Sequence, residues 1–253
     1  MILTPKTFLI VCPLLFLAGF VDAIGGGGGL ISLPAFLIAG LPPHSAIATN
    51  KMSSTFGTAL TTARFLRKGL VNLSLAVPSV IAALIGSFCG AKLSLLLSES
   101  LIRGLMIVIL PVAAFFVLNR HLFGDSGPEE VIPDRRTYLT VVTAALLIGM
   151  YDGFYGPGTG TFLIIAFTVF AKMSVSAANA QAKVINLTTN ITALTVFALS
   201  GQVIFLLGLA GAVCNMLGNY AGSGLVLAKG SRIVRPVILG VLFLLLLKIL
   251  GFY

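Results

Sequence analysis

The chain has no tryptophan, two histidines, three cysteines and only 9% charged residues among 253. Each shortage closes off a class of function. A water-soluble domain carries roughly 25% charged residues to keep its surface wet. With 58% hydrophobic residues and a mean hydropathy of +1.09, this chain cannot cover a water-facing surface, so lipid must solvate most of it. Cys12, Cys89 and Cys214 lie in separate apolar stretches without metal-ligand spacing, so neither a metal nor a disulfide framework is expected, and each reads as a small core residue. The net charge of +9 comes from basic residues scattered between apolar runs, with no basic stripe interleaved with aromatics, which argues against nucleic acid.

Catalytic signatures are missing as well. There is no Gly-x-Ser-x-Gly and no His-Glu-x-x-His, and the glycine run at 25–29 lacks the Lys-Ser/Thr that closes a phosphate loop. Tyr151-Asp152 resembles the first motif of membrane aspartyl proteases, but their Gly-x-Gly-Asp partner is absent. An enzyme is therefore not expected, and neither catalytic residues nor cofactors are assigned.

What the chain does have is apolar runs of about 20 residues, the length that spans a bilayer core, recurring from Phe8 to the C-terminus. It also repeats itself. Gly19-Phe-Val-Asp22 followed by Gly25 to Gly29 returns as Gly149-Met-Tyr-Asp152 followed by Gly156-Pro-Gly-Thr-Gly160. Ala48-Thr-Asn-Lys51 returns as Ala180-Gln-Ala-Lys183, Gly86 and Gly90 as Gly218 and Gly222, and Arg103 as Arg235, at offsets between 130 and 132 residues. Such a steady offset marks an internal duplication. Met1 to Ala23 has the outline of a signal peptide, but its counterpart deep in the chain identifies it as the first membrane helix.

The pattern predicts an all-α polytopic membrane protein with two repeats of about five helical segments each. They lie near 7–24, 28–40, 45–65, 70–97 and 100–119, then near 137–154, 159–171, 176–199, 202–228 and 231–252. Residues 1–119 form the first repeat, 137–253 the second, and the polar stretch 120–136 a linker. Charge placement orients the halves. The loop after the third segment is basic in the first half (Arg64, Arg67, Lys68) and uncharged in the second (Leu199-Ser-Gly201), whereas the next loop reverses this, with Ser98-Glu-Ser100 facing Lys229-Gly-Ser-Arg232. If basic loops are cytoplasmic, equivalent loops sit on opposite faces, the repeats are inverted and the linker is cytoplasmic.

In both halves a helix runs into glycines and a short apolar piece follows, Leu30 to Ala39 and Thr161 to Phe170, each half a bilayer core in length. Glycines do not continue a stable helix, and open backbone at membrane depth is tolerated only against protein or a watery cavity. Matched breaks in inverted halves point to a substrate site, and helix N-termini aimed at it favour an anion. The residues expected to line it are Gly26, Gly27, Gly28, Gly156, Gly158 and Thr159. Gly86, Gly90, Gly218 and Gly222 instead have the small-xxx-small spacing of close helix packing.

Lys51 and Lys183 lie inside otherwise uncharged helices, where a lysine is costly and a functional candidate by default. Thr49, Asn50, Gln181, Asn186 and Asn190 supply neutral hydrogen-bonding groups beside them, and Ser54 and Asn186 sit one turn beyond the two lysines. Two lysines and two helix N-termini predict a cationic pocket for a small oxyanion. Asp22 and Asp152, the acids within the spans, can pair with the lysines, carry protons or accept hydrogen bonds from the glycine loops, with the last, structural role preferred. His44 reads as an interfacial turn residue.

These paired motifs, Gly19-Phe-Val-Asp-Ala-Ile-Gly-Gly-Gly-Gly-Gly, Pro34 and Ala48-Thr-Asn-Lys51, repeated as Gly149-Met-Tyr-Asp-Gly-Phe-Tyr-Gly-Pro-Gly-Thr-Gly and Ala180-Gln-Ala-Lys183, resemble the sulfite exporter TauE/SafE family over nearly the whole chain. The resemblance implies a multi-pass inner-membrane permease for sulfite, sulfonates or related organic anions. It leaves substrate, direction and coupling open. An alternating-access anion transporter is the leading expectation and an anion channel the alternative, while exposed small-residue helix faces permit a homodimer.

Overall fold

The computed structural model of the protein describes residues 4–102, 104–105 and 133–229. Among them eight helices follow one another: α1 Pro5–Gly25, α2 Gly29–Ile38, α3 Pro43–Arg67, α4 Leu73–Leu96, α5 Arg135–Phe154, α6 Thr159–Val169, α7 Val175–Leu199 and α8 Phe205–Lys229. Helix resumes at 99–102. The segment expected at 100–119 is described only at 100–102 and 104–105; the rest of it, the segment expected at 231–252 and the linker up to residue 132 lie outside the described residues. Arg135 and Arg136, read from sequence as linker, open α5.

Local chemistry explains the ends. The side chains of Asn72, Asp134 and Ser174 accept from backbone N–H groups in the first turns of α4, α5 and α7. Helix α1 stops where Gly26 turns left-handed at φ 74° and donates its N–H to Asp22 O. His44, expected in a turn, is instead buried in the first turn of α3, with Nε2 2.9 Å from Ser94 O.

Helices α1, α4, α5, α7 and α8 are long and apolar enough to cross a membrane. At 25 residues α3 is as long, but Thr49, Asn50, Lys51, Ser53, Thr58, Thr61 and Thr62 make it polar, and all seven are buried. The arrangement explains this. α1 lies along α8 and α4 along α5, while α3 packs between α7 and α8 and α7 between α3 and α4. The flanking pairs carry the exposed apolar side chains, among them Leu9 and Phe16 on α1, Val77 and Ile81 on α4, Leu147 on α5 and Val213 and Leu217 on α8. Lipid solvates those faces, so α3 is free to be polar. Cys89 is exposed and Cys12 and Cys214 are half-buried, so none of the three is the core residue the sequence led us to expect.

The flanking seams use the small-residue spacing. On Gly86 an added Cβ would lie 3.0 Å from Met150 N, and on Gly90 2.8 Å from Phe154 N. On Gly218 it would lie 2.8 Å from Phe20 N. Such backbone approach permits dense van der Waals packing where lipid supplies no hydrophobic drive between helices.

Two apolar clusters form the core, and each draws on both halves. One holds the end of α1 (Ile24), the start of α5 (Val141), the start of α7 (Val175, Ala178) and the body of α6 (Leu163, Phe167). The other holds the start of α1 (Val11, Leu15), the end of α7 (Val196, Phe197), Tyr155 just past α5, and the body of α2 (Leu33, Phe36). α1 and α5, matched in sequence, therefore run between the clusters in opposite directions. α2 doubles back from the end of α1, and α6 from the end of α5. The two glycine breaks lie between the clusters.

Candidate functional site

The breaks meet backbone to backbone. A Cβ on Gly26 would lie 2.5 Å from Gly160 Cα, and one on Gly160 2.5 Å from Gly26 Cα. Gly26 also needs its positive φ of 74°, so only glycine suits both demands. Nearby, Gly29 faces Pro157, and Tyr151 Oη donates to Pro157 O at 2.7 Å, bracing the second break.

The two lysines cross over to the opposite half. Lys51 Nζ lies 2.7 Å from Asp152 Oδ2, and Lys183 Nζ 2.8 Å from Asp22 Oδ2, with both lysines fully buried. Here the symmetry ends. The last carbonyls of a helix have no partner within it, and at the end of α1 the second half supplies donors to them, adding one to Asp22 O besides the Gly26 N–H. Lys183 Nζ donates to Asp22 O, Asn179 Nδ2 to Ala23 O (3.2 Å) and Ile24 O (3.1 Å), and Thr161 Oγ1 to Gly25 O (2.7 Å). A cation at a helix C-terminus is also favoured by the helix dipole. The first half offers no such set, because Ile47 stands where the repeat puts Asn179.

Lys51 instead extends a side-chain chain. Its Nζ donates to Asn190 Oδ1 at 3.2 Å, and Asn190 Nδ2 donates to Asn186 Oδ1 at 3.2 Å. Asp152 Oδ1 accepts from Thr159 Oγ1 at 2.7 Å. Gly156, at φ 97°, keeps this place open, since a Cβ there would lie 2.9 Å from both Lys51 Nζ and Asp152 Oδ1.

A small cavity of about 20 Å³ opens among these groups, lined by Asp22, Gly26, Gly29, Asn50, Lys51, Ser54, Asp152, Gly156, Thr159, Gly160, Asn186 and Asn190. That is room for one water molecule. The first residues of α2 and α6, Gly29 and Thr159, both line it, so two helix N-termini converge there. Among the described residues no group of three His, Cys, Asp or Glu stands close enough to hold a metal.

Of the residues singled out from sequence, Lys51, Asn50, Asn186, Asn190, Gly26, Gly156, Thr159, Asp22 and Asp152 line the cavity. Lys183, Thr49, Gln181, Gly27, Gly28 and Gly158 do not. Thr49 Oγ1 accepts from Ile204 N at 3.1 Å and ties α3 to the approach to α8. Gly28 packs on α1, where a Cβ would lie 2.6 Å from Ala18 O and Asp22 Cβ. Gly158 makes a left-handed turn at φ 86°. Gln181 is fully buried, with neither amide atom hydrogen-bonded among the described residues. Ser54, Gly29 and Gly160 line the cavity without having been selected, although the one-turn spacing from Lys51 and the ends of the glycine motifs marked all three. The carboxylates face lysines first rather than the glycine loops. The four charges of the two pairs sum to zero, so the cavity is not the cationic pocket that two unpaired lysines would make.

Comparison with known proteins agrees on the kind of molecule. The family described as Sulfite exporter TauE/SafE matches residues 11–249. "Probable membrane transporter protein YfcA" of Escherichia coli (strain K12) is 37% identical over 88% of this chain and 81% of its own. "Probable membrane transporter protein ORF9" of Sinorhizobium sp is 34% identical over 93% and 89% of the two chains. A "Probable membrane transporter protein" of Haemophilus influenzae is 35% identical over 92% and 90%. No solved structure matches the chain.

Proposed function

The chain belongs to the sulfite exporter TauE/SafE family of membrane transporters, and from that premise we propose that it carries small sulfur-containing or related organic anions, such as sulfite or sulfonates, by alternating access at the junction of its two halves. The halves are residues 1–119 and 137–253, in inverted orientation in a bacterial inner membrane, with 120–136 cytoplasmic. The opposite run of α1 and α5 between the two apolar clusters supports the inversion.

One observation carries the reading: the starts of two half-length helices, a buried lysine and three asparagines converge on one small cavity between the halves. In this role Lys51 is the charge that holds the anion, Asn50, Asn186 and Asn190 donate to its oxygens, and the N–H groups opening α2 and α6 add positive potential. Lys183 and Asp22 brace the end of α1 instead of touching the anion. The one-water volume fits the closed step of a carrier, which must open to admit a sulfite-sized solute. A channel, by contrast, needs a continuous path.

The test is flux in proteoliposomes. Lys51→Ala, still folded by size-exclusion and thermal melting, should lose at least tenfold in uptake of sulfite or methanesulfonate. Unchanged flux sinks the assignment of Lys51, and unsaturable flux with single-channel currents replaces the carrier with a channel.

A further inference from the structure

We propose that Asp152 is a proton-binding site, and that the bound anion and Asp152 take turns on Lys51. The inference rests on the transporter reading of the cavity and adds the coupling ion to it.

The argument is charge balance in a closed space. Lys51 and Asp152 are both buried and lie 2.7 Å apart, so the pair is neutral as it stands. The cavity beside them takes one water. An anion seated on Lys51 must displace the carboxylate from the ammonium, and the site would then hold one cation and two anions. An uncompensated buried charge is strongly unfavourable, and two anionic oxygen groups sharing a site drive one of them to protonate. A proton taken from the open aqueous side onto an Asp152 carboxylate oxygen restores neutrality, leaving Lys51 ammonium, the anion and a neutral carboxylic acid. Release of the anion returns the proton to water and the carboxylate to Lys51. One anion and one proton then cross together.

The surroundings single out Asp152. From α3 it faces Lys51, and from α6 the hydroxyl of Thr159 at 2.7 Å. From α1 the carboxylate of Asp22 also acts on Lys51, but Asp22 has its own cation, Lys183 of α7. On its own helix Asp152 has Tyr151 beside it, whose hydroxyl is committed to Pro157 O, and Tyr155 lies one turn on, past the helix end. α4 packs along α5 and contributes no charge, since its Cys89 and Lys92 are exposed on its outer side. Asp22 is poorly placed for the exchange, because Lys183 does not line the cavity and is held by the Asp22 carbonyl as well as its carboxylate.

The experiment is anion binding to the purified full-length protein by calorimetry, in buffers of different ionisation enthalpy. The probes are methanesulfonate and sulfite; methanesulfonate holds no proton of its own near neutral pH. The expected result is about one proton taken up per anion bound, and an affinity that weakens up to about tenfold per pH unit as pH rises. Asp152→Asn should bind with no proton uptake and a flat pH profile, while Asp22→Asn should keep the proton uptake of the parent. Binding without proton uptake in the unmodified protein overturns the inference and leaves the transporter reading intact, as does proton uptake that survives Asp152→Asn. If neither anion binds at any pH, the substrate class fails and takes this inference with it. If Asp152→Asn does not fold, the unmodified protein's proton count still tests the uptake, and proton uptake lost in Asp22→Asn assigns the site to Asp22 and overturns the inference.

Discussion

Lys183 donates to the carboxylate and the carbonyl of Asp22 at the end of α1, beside Asn179 and Thr161, which occupy the neighbouring carbonyls. Lys51, at the matching place in the other half, shares its ammonium between Asp152 and Asn190 at the wall of a cavity. The two pairs descend from one motif and have diverged in their neighbours. One set of substitutions, Asn179 against Ile47, turned the first pair into a helix cap. The other left its lysine with a side chain it can exchange. The repeat places two equivalent lysines in the chain, and their surroundings differ so that in the proposed function only Lys51 is left to bind a solute.

The comparison can be broken most forcefully at Lys183. Lys183→Ala leaves Asp22 charged and unpaired, as Lys51→Ala leaves Asp152, and removing one partner of a buried pair costs about 3–5 kcal/mol; it also takes the ammonium away from the Asp22 carbonyl at the end of α1. We expect a large drop in melting temperature in detergent, greater than that of Lys51→Ala by the loss of this carbonyl contact. Lys51→Ala, for its part, should lose at least tenfold in flux in protein that still folds. If Lys51→Ala proves the less stable of the two, the division into brace and binding site is wrong.

Next in size are the meeting glycines. Gly26→Ala forces a side chain into a left-handed backbone, at about 1–3 kcal/mol, and against Gly160 Cα at 2.5 Å. Loss of folded protein on size-exclusion is expected. Gly40, also left-handed at φ 87° but with open space around it, should tolerate alanine far better.

A milder probe makes the halves alike. Asn179→Ile copies Ile47 and removes two hydrogen bonds to the end of α1, each worth about 0.6 kcal/mol inside a membrane protein. The melting point should fall by a few degrees while anion flux persists, and lost flux would mean that the cap also shapes the cavity.

The smallest effect lies at the helix starts. α1 opens with a neutral pair, Thr4 and Thr7. α5 opens with Asp134, whose carboxyl the Thr137 hydroxyl and N–H hold below its ordinary range. A lowered folded value stabilises above the unfolded value, near 3.9, and that contribution fades as pH falls through the folded value. Asp134→Asn should therefore remove a slight loss of melting temperature on acidification below about pH 4, and no change would show that the cap contributes nothing measurable.

Much was legible in the chain. The spans, the duplication and the breaks follow from composition and spacing, because a bilayer demands about 20 apolar residues per crossing and glycine interrupts a helix wherever it is placed. All eight described helices begin within three residues of where periodicity put them, α5 two residues early because Arg135 and Arg136 open it. Lys51 and Asp152 stood out because charge is rare at membrane depth. Gln181 and Thr49 were drawn toward the site by closeness in sequence, but successive helix residues face different neighbours, and theirs point elsewhere.

By itself, then, the sequence determined a multi-pass helical protein of two related halves, each with a broken helix and a buried lysine. Those properties are local, set by hydropathy and backbone entropy along the chain. Only the tertiary structure decided that Lys51 pairs with Asp152 and Lys183 with Asp22. It also decided that Gly26 rests on Gly160, and that one lysine caps a helix while the other lines a cavity. These are contacts across more than a hundred residues between packed halves, and no spacing within either half encodes which partner will arrive.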